Sequence, residues 1–112
     1  MKKIEALMRP ERFPEVMRGL RDLGYPGVTV SGVRGHGKQR GYSQVWRGVE
    51  YRVEFLAKVK LEVVVLDEDL ERVLNAVVRA ARTGSIGDGK IFIYEVDDAV
   101  RIRTGESGFQ AI

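Results

Sequence analysis

The sequence contains no cysteine, a single histidine and a single tryptophan. Without cysteine there is no disulfide scaffold, no thiolate metal site and no thiol nucleophile, and a cytoplasmic protein is the expectation. With His36 as the only histidine, no multi-histidine metal site can form, and no hydroxyl nucleophile has an evident imidazole base beside it. The expected protein is therefore not an enzyme. Long apolar runs are missing as well. Lys2 and Lys3 open the chain, but Glu5, Arg9 and Glu11 interrupt the residues that follow, so neither a signal peptide nor a membrane span is expected.

What is present is one domain's worth of chain. At 112 residues it can bury ~65% of its unfolded surface and fold without covalent staples. The net charge is only +3, yet residues 34–54 carry Arg34, Lys38, Arg40, Arg47 and Arg52 against Glu50 and Glu54, which accounts for the whole excess. Concentrated in one segment, this charge favours an anionic ligand or partner over a nucleic-acid coat. Any one of these arginines, taken alone, reads as a solvated surface residue.

Periodicity supplies the elements. Ile4, Ala6 and Met8 alternate with polar residues in a strand ended by Pro10. Phe13, Val16, Met17, Leu20 and Leu23 recur at helical spacing, with Pro14 in the first turn and Gly24 as the stop. Val28, Thr29, Val30 and Val33 mark a second strand over 28–34. Val59, Leu61, Val63 and Val65 form another, with Lys58, Lys60 and Glu62 on its opposite face. Asp67 is the expected N-cap of a helix whose apolar stripe is Leu70, Val73, Leu74, Val77, Val78 and Ala81. Strands over 91–95 and near Val100 to Arg103 complete the pattern. Residues 35–57 have no clean period and read as one long loop, and 102–112 as a C-terminal loop. Two βαβ units in a single antiparallel sheet, with both helices on one face, predict an α+β, ferredoxin-like domain over 1–112. The face without helices would keep apolar area at Val64, Leu66 and Phe92, which points to self-association.

The densest chemical signal lies over 82–90, where Gly84, Gly87 and Gly89 surround Asp88 and precede Lys90. Glycines let successive backbone N–H groups converge on an anion, and a lysine adds charge. Gly84, four residues, then Gly89-Lys90 begin a nucleotide-binding P-loop pattern, but Ile91 occupies the place of its Ser or Thr. The context also runs from helix to strand rather than from strand to helix. The segment reads as a phosphate-binding loop outside the P-loop class, in preference to an ordinary turn, which needs fewer glycines.

Longer signatures carry a resemblance. Ala80-Ala81-Arg82-Thr83-Gly84, Gly87-Asp88-Gly89-Lys90-Ile91-Phe92 and Val100-Arg101-Ile102-Arg103-Thr104-Gly105-Glu106 resemble the PII nitrogen-signalling family, as do Gly35-His36-Gly37-Lys38-Gln39 and Arg47-Gly48-Val49-Glu50-Tyr51 in the long loop. The resemblance covers residues 2–112. It implies a homotrimer that binds ATP or ADP between subunits, senses 2-oxoglutarate beside the ATP, and engages nitrogen-metabolism enzymes or an ammonium channel through the long loop. A membrane would be approached only through such a channel, and no nucleic acid is implied.

The same resemblance assigns residues. Nucleotide contacts fall to Thr29, Gly37, Lys38, Gln39, Val64, Gly87, Asp88, Gly89, Lys90, Arg101 and Arg103, with Thr29 and Val64 at the adenine. Arg101 and Arg103 would project from one side of a strand. Arg9, Gln39, Lys58 and Gly87 would hold 2-oxoglutarate, and the Gln39 carbonyl oxygen would bind Mg²⁺, a hard ion that takes oxygen ligands. Tyr51 matches a position that some members uridylylate, although Trp46 and Val49 depart from the surrounding motif. Lys38 stands where arginine is commoner, exchanging a bidentate phosphate contact for a point charge. Two other classes stay open on the residues: a small phosphohydrolase using the glycine loop, and an RNA-binding domain, which lacks evident paired aromatics on its central strands. A sensor of another small molecule, or of nucleotide ratio alone, also stays open.

Overall fold

A computed structural model describes residues 1–36, 42–46, 49–53 and 55–112, giving the backbone alone for 42–46 and 49–53. The elements run β1 (Lys2–Met8), a 3-10 turn (Pro10–Arg12), α1 (Phe13–Asp22), β2 (Thr29–Gly35), β3 (Tyr42–Trp46) and β4 (Val49–Val53). They continue with β5 (Leu56–Val65), a 3-10 turn (Asp67–Asp69), α2 (Leu70–Ala81), β6 (Gly89–Glu95) and a closing 3-10 turn (Gly108–Ala111). Four strands form one sheet in the order β2-β5-β1-β6, and every pairing in it is antiparallel. This is the ferredoxin-like order, with one strand from each βαβ unit at the centre.

Register decides which face each side chain occupies. Ile4 lies between Val63 and Ile93, and Ala6 between Leu61 and Ile91. These residues point one way, and α1 and α2 cover Ile4, Ala6, Leu61 and Val63 with Val16, Met17, Leu20, Val73 and Val77 in one buried cluster; Ile91 packs against it, while Ile93 stays exposed. Burying each large member of that cluster is worth ~1.5–3 kcal/mol. The alternate residues Lys3, Glu5, Lys60, Glu62, Phe92 and Tyr94 point the other way, to the face that neither α1 nor α2 covers. There Lys3 pairs with Glu62 at 3.2 Å and lies 4.7 Å from the centre of the Tyr94 ring. Phe92 and Tyr94 each keep 44% of their surface exposed.

Three local expectations give way. The long segment is not uniformly irregular, because β3 and β4 pair antiparallel from Tyr42 opposite Val53 to Trp46 opposite Val49. Val49, Tyr51 and Val53 alternate with Glu50 and Arg52 in β4, but Gln44 and Val45 break the period in β3. No strand forms near Val100 to Arg103. Instead the Arg101 N–H donates to the Glu106 carbonyl and the Gly105 N–H to the Arg101 carbonyl, both at 2.8 Å. This turn is closed by an isolated Val100–Ser107 bridge. Finally, Asp67 begins a 3-10 turn instead of capping α2, and its carboxylate accepts from the Met1 ammonium at 2.9 Å.

Candidate functional site

The glycine loop is shaped from both ends. α2 stops at Ala81 because Arg82 turns to extended backbone, while its N–H still donates to the Val78 carbonyl at 3.0 Å. At the far end, Gly89 enters β6 opposite Met8. A Cβ built on Gly89 would lie 1.7 Å from the Leu7 carbonyl oxygen, and the residue's φ is +108°. No side chain fits there, so glycine is what lets the loop rejoin the sheet at this register. Gly87 also has positive φ, at 103°.

Between these ends the Asp88 carboxylate organises the loop. It accepts from the Thr83 and Gly84 N–H groups, each at 2.8 Å, from the Thr83 hydroxyl, and from Arg9 Nε at 3.1 Å. The Thr83 hydroxyl oxygen in turn accepts from the Ser85 N–H at 3.2 Å. These donors, Thr83's foremost, hold the Asp88 carboxyl well below the usual carboxylate range. Asp88 therefore carries a full charge, directed into the loop's own amides.

Two cations reach the loop from the sheet. Arg9, just beyond β1, adds a 2.9 Å bond from Nη2 to the Ile86 carbonyl. Lys58 on β5 donates from Nζ to the Gly87 carbonyl at 2.6 Å. Burial, and then the neighbouring Arg9 charge, lowers the Lys58 pKa. Gly87, Asp88, Arg9 and Lys58 thus converge at one end of the sheet. Lys90 is exposed and, opposite Leu7 in β1, lies on the helix-free face. It also borders a cavity of about 240 Å³ with Met8, Val77, Arg82, Asp88 and Gly89.

Thr29 and Val64 lie elsewhere. Both line a larger cavity, about 800 Å³, together with Lys3, Tyr25, Glu62 and Phe109. Val64 is six residues beyond Lys58 on the same strand, ~20 Å along it. One chain therefore does not bring the expected adenine contacts to the phosphate loop. Arg101 is engaged within its turn, donating from Nη2 to the Gln110 carbonyl at 2.8 Å, and it lies 3.7 Å from Glu106. Arg103 is exposed, and neither arginine projects from a strand. Gly37, Lys38 and Gln39 lie outside the described residues, and Tyr51 is placed by its backbone alone, opposite Gln44.

Sequence reasoning missed Thr83, and it counted Asp88 as a nucleotide contact without identifying the amides and hydroxyl that its side chain gathers. A usable signal existed, since an acid inside an anion loop repels the ligand unless other groups occupy it. Among the described residues no group of three or more His, Asp or Glu is placed to hold a metal ion. Nor is any helix there long and apolar enough to cross a membrane.

Comparisons with known proteins converge on the resemblance carried by these motifs. A family model described as nitrogen regulatory protein P-II matches residues 1–106. The nitrogen regulatory protein P-II of Bradyrhizobium diazoefficiens is 51% identical over 112 residues, and that of Haemophilus influenzae 52%, each alignment covering all of both chains. The solved structure of Arabidopsis thaliana PII bound to citrate superposes with a TM-score of 0.79 at 44% identity, covering 98% of this chain and 87% of that one.

Proposed function

This chain belongs to the nitrogen regulatory protein P-II family, and we propose that it signals by binding ATP or ADP together with 2-oxoglutarate. The observation that carries this reading is the convergence of Arg9 and Lys58 on a glycine loop whose own acid is already occupied. Phosphates would meet the N–H groups near Gly87, Gly89 and Lys90, with the Lys90 ammonium supplying charge. Lys58 and Arg9 would turn to the carboxylates of the 2-oxo acid, each giving a charge-assisted bond. Gln39 would offer its carbonyl oxygen to Mg²⁺, which gathers phosphate and 2-oxo acid oxygens. The Arabidopsis relative was solved with citrate, a ligand with the same carboxylate chemistry.

The separation of Thr29 and Val64 from the glycine loop favours a site shared between copies. The exposed face of Phe92 and Tyr94 offers the contact surface, and a closed homotrimer would place Thr29, Val64, Arg101 and Arg103 of one copy against Gly87–Lys90 of the next. Joint occupancy by nucleotide and 2-oxo acid would select a conformation of residues 35–57, through which nitrogen-metabolism enzymes or an ammonium channel are engaged. Tyr51 in β4 would contact the target or receive a nucleotidyl group. The protein is then a cytoplasmic regulator and not an enzyme.

Calorimetric titration of 2-oxoglutarate with Mg²⁺, once with ATP and once with ADP, tests this. Binding with ATP alone is expected, and Lys58→Ala should abolish it while nucleotide still binds. If nucleotide binds and 2-oxoglutarate never does, the effector is a different molecule, and citrate is the next to titrate.

A further inference from the structure

Asp88 presents an electrostatic problem. A carboxylate between Gly87 and Gly89 sits where the nucleotide reading places phosphate, and two anions in one loop repel. The hydrogen bonds show how the conflict is resolved. Both amides at the start of the loop, Thr83 and Gly84, donate to Asp88, so the carboxylate acts as a built-in anion for the first half of the loop. That leaves the amides of the second half to an incoming anion. The Thr83 hydroxyl is the hinge of this arrangement, because it donates to Asp88 while accepting from the Ser85 N–H at 3.2 Å. Of the groups around the carboxylate, only this hydroxyl belongs to a side chain inside the loop itself.

We propose that Thr83 is a positioning residue for nucleotide affinity, its hydroxyl turning the Asp88 carboxylate inward and pre-forming the loop before ligand arrives. The inference rests on the nucleotide reading above. Thr83 itself touches no ligand in this scheme. Without the hydroxyl, Asp88 would lose one of its donors and swing toward the phosphate position, so the ligand would meet both a looser loop and a misplaced charge. Because Thr83 is exposed, its side chain contributes little to the core, and folding should tolerate its replacement.

The test compares Thr83→Val, which keeps the shape and removes the hydroxyl, with Thr83→Ser, which restores it. Calorimetry with Mg²⁺-ATP should show roughly tenfold weaker binding for Thr83→Val, the effect of one lost hydrogen bond to a charged group, and wild-type binding for Thr83→Ser. Melting temperatures of the three proteins should agree within a few degrees. Equal affinity for Thr83→Val and wild type would overturn the proposal, as would equal weakening in both variants. Amide hydrogen exchange on the ligand-free proteins separates this idea from the nucleotide reading. Protection of the Thr83 and Gly84 amides should fall in Thr83→Val and persist in Thr83→Ser. If the wild type bound no nucleotide, that pattern would still establish the clamp, whereas identical exchange in all three would refute it.

Discussion

The two helix-to-strand connections of this molecule occupy equivalent places in its two βαβ units and are built on opposite plans. The first, after α1, ends the helix with backbone alone: Gly24 at φ 86° donates to the Arg21 carbonyl at 3.0 Å, and Tyr25 donates to the Leu20 carbonyl at 2.8 Å. This is the Schellman arrangement, in which the amides of Gly24 and Tyr25 turn back to the helix's last carbonyls. Tyr25 then reaches outward. Its hydroxyl donates to Asp69 and accepts from the Leu66 N–H at 3.2 Å, joining the first connection to the start of α2. The second connection, after α2, has no such backbone cap; Arg12 Nε instead donates to the Ala80 carbonyl at 2.8 Å. Its acid, Asp88, turns inward and gathers the loop's own amides. An outward anchor makes a joint between units, whereas an inward one closes the loop around its own carboxylate, the arrangement that the proposed ligand site requires.

If that division is right, substitutions in the two connections should separate stability from ligand affinity. The largest effect belongs to Gly89→Ala, whose Cβ meets the Leu7 carbonyl oxygen. We expect a loss of ~3 kcal/mol or more in urea unfolding, or failure to fold. A variant of wild-type stability would mean that β6 need not approach β1 so closely. Next, Gly24→Ala has open space around its Cβ but a positive φ, and should cost ~1–2 kcal/mol with nucleotide binding unchanged. Tyr25→Phe should cost ~1 kcal/mol, reduced by its partial exposure. Because it keeps the ring that lines the cavity of Thr29 and Val64 and removes only a hydroxyl bonded to Asp69 and Leu66, it should leave affinity unchanged. A fall in ATP affinity in either variant would mean that the first connection also serves the ligand.

The smallest effect appears at acid pH. Asp69 is held below its ordinary pKa, first by the Tyr25 hydroxyl and then by Arg72, and Asp88 is held lower still, first by Thr83. A carboxylate depressed in the folded state contributes stability that is fully present above its unfolded pKa, ~3.9, and is lost as pH falls through the folded value. Melting temperature should therefore begin to drop below about pH 5 and keep falling past pH 3, through the depressed folded values. The drop should shrink in Tyr25→Phe through Asp69 and in Thr83→Val through Asp88. Unaltered acid sensitivity in both variants would assign the drop to other groups.

The sheet was legible in the sequence because alternation and burial coincide there. Ile4, Ala6, Met8, Leu61, Val63 and Val65 are all buried on the helical face. Around Val100 the same alternation misled. Val-Arg-Ile-Arg copies a strand, yet Ile102 is fully exposed, and local bonds within 101–106 fold the segment into a turn. The hairpin of β3 and β4 was hidden for a different reason: Val49, Tyr51 and Val53 do alternate with Glu50 and Arg52, but Gln44 and Val45 break the period in β3, and Gly41 and Gly48 read as loop. The glycine loop was legible from composition, where it reads as an anion site, and Arg9 and Lys58 were placed beside it through the family resemblance; the structure brings both side chains onto it. The inward turn of Asp88 was not legible. It depends on which of several nearby amides the carboxylate meets, and spacing alone does not fix that.

The strand order has a further consequence, for the ribosome. β1 is the first strand to be made, yet it lies between β5 and β6, whose partner residues begin at Val59 and Gly89. At translation speeds of about 5–20 residues per second, the nascent β1 spends on the order of seconds with both edges unpaired. During that interval its alternating apolar residues have nothing to cover them but α1. Lys2, Lys3, Glu5 and Arg9 then act as gatekeepers, keeping an unfinished strand from pairing with its copy on a neighbouring ribosome.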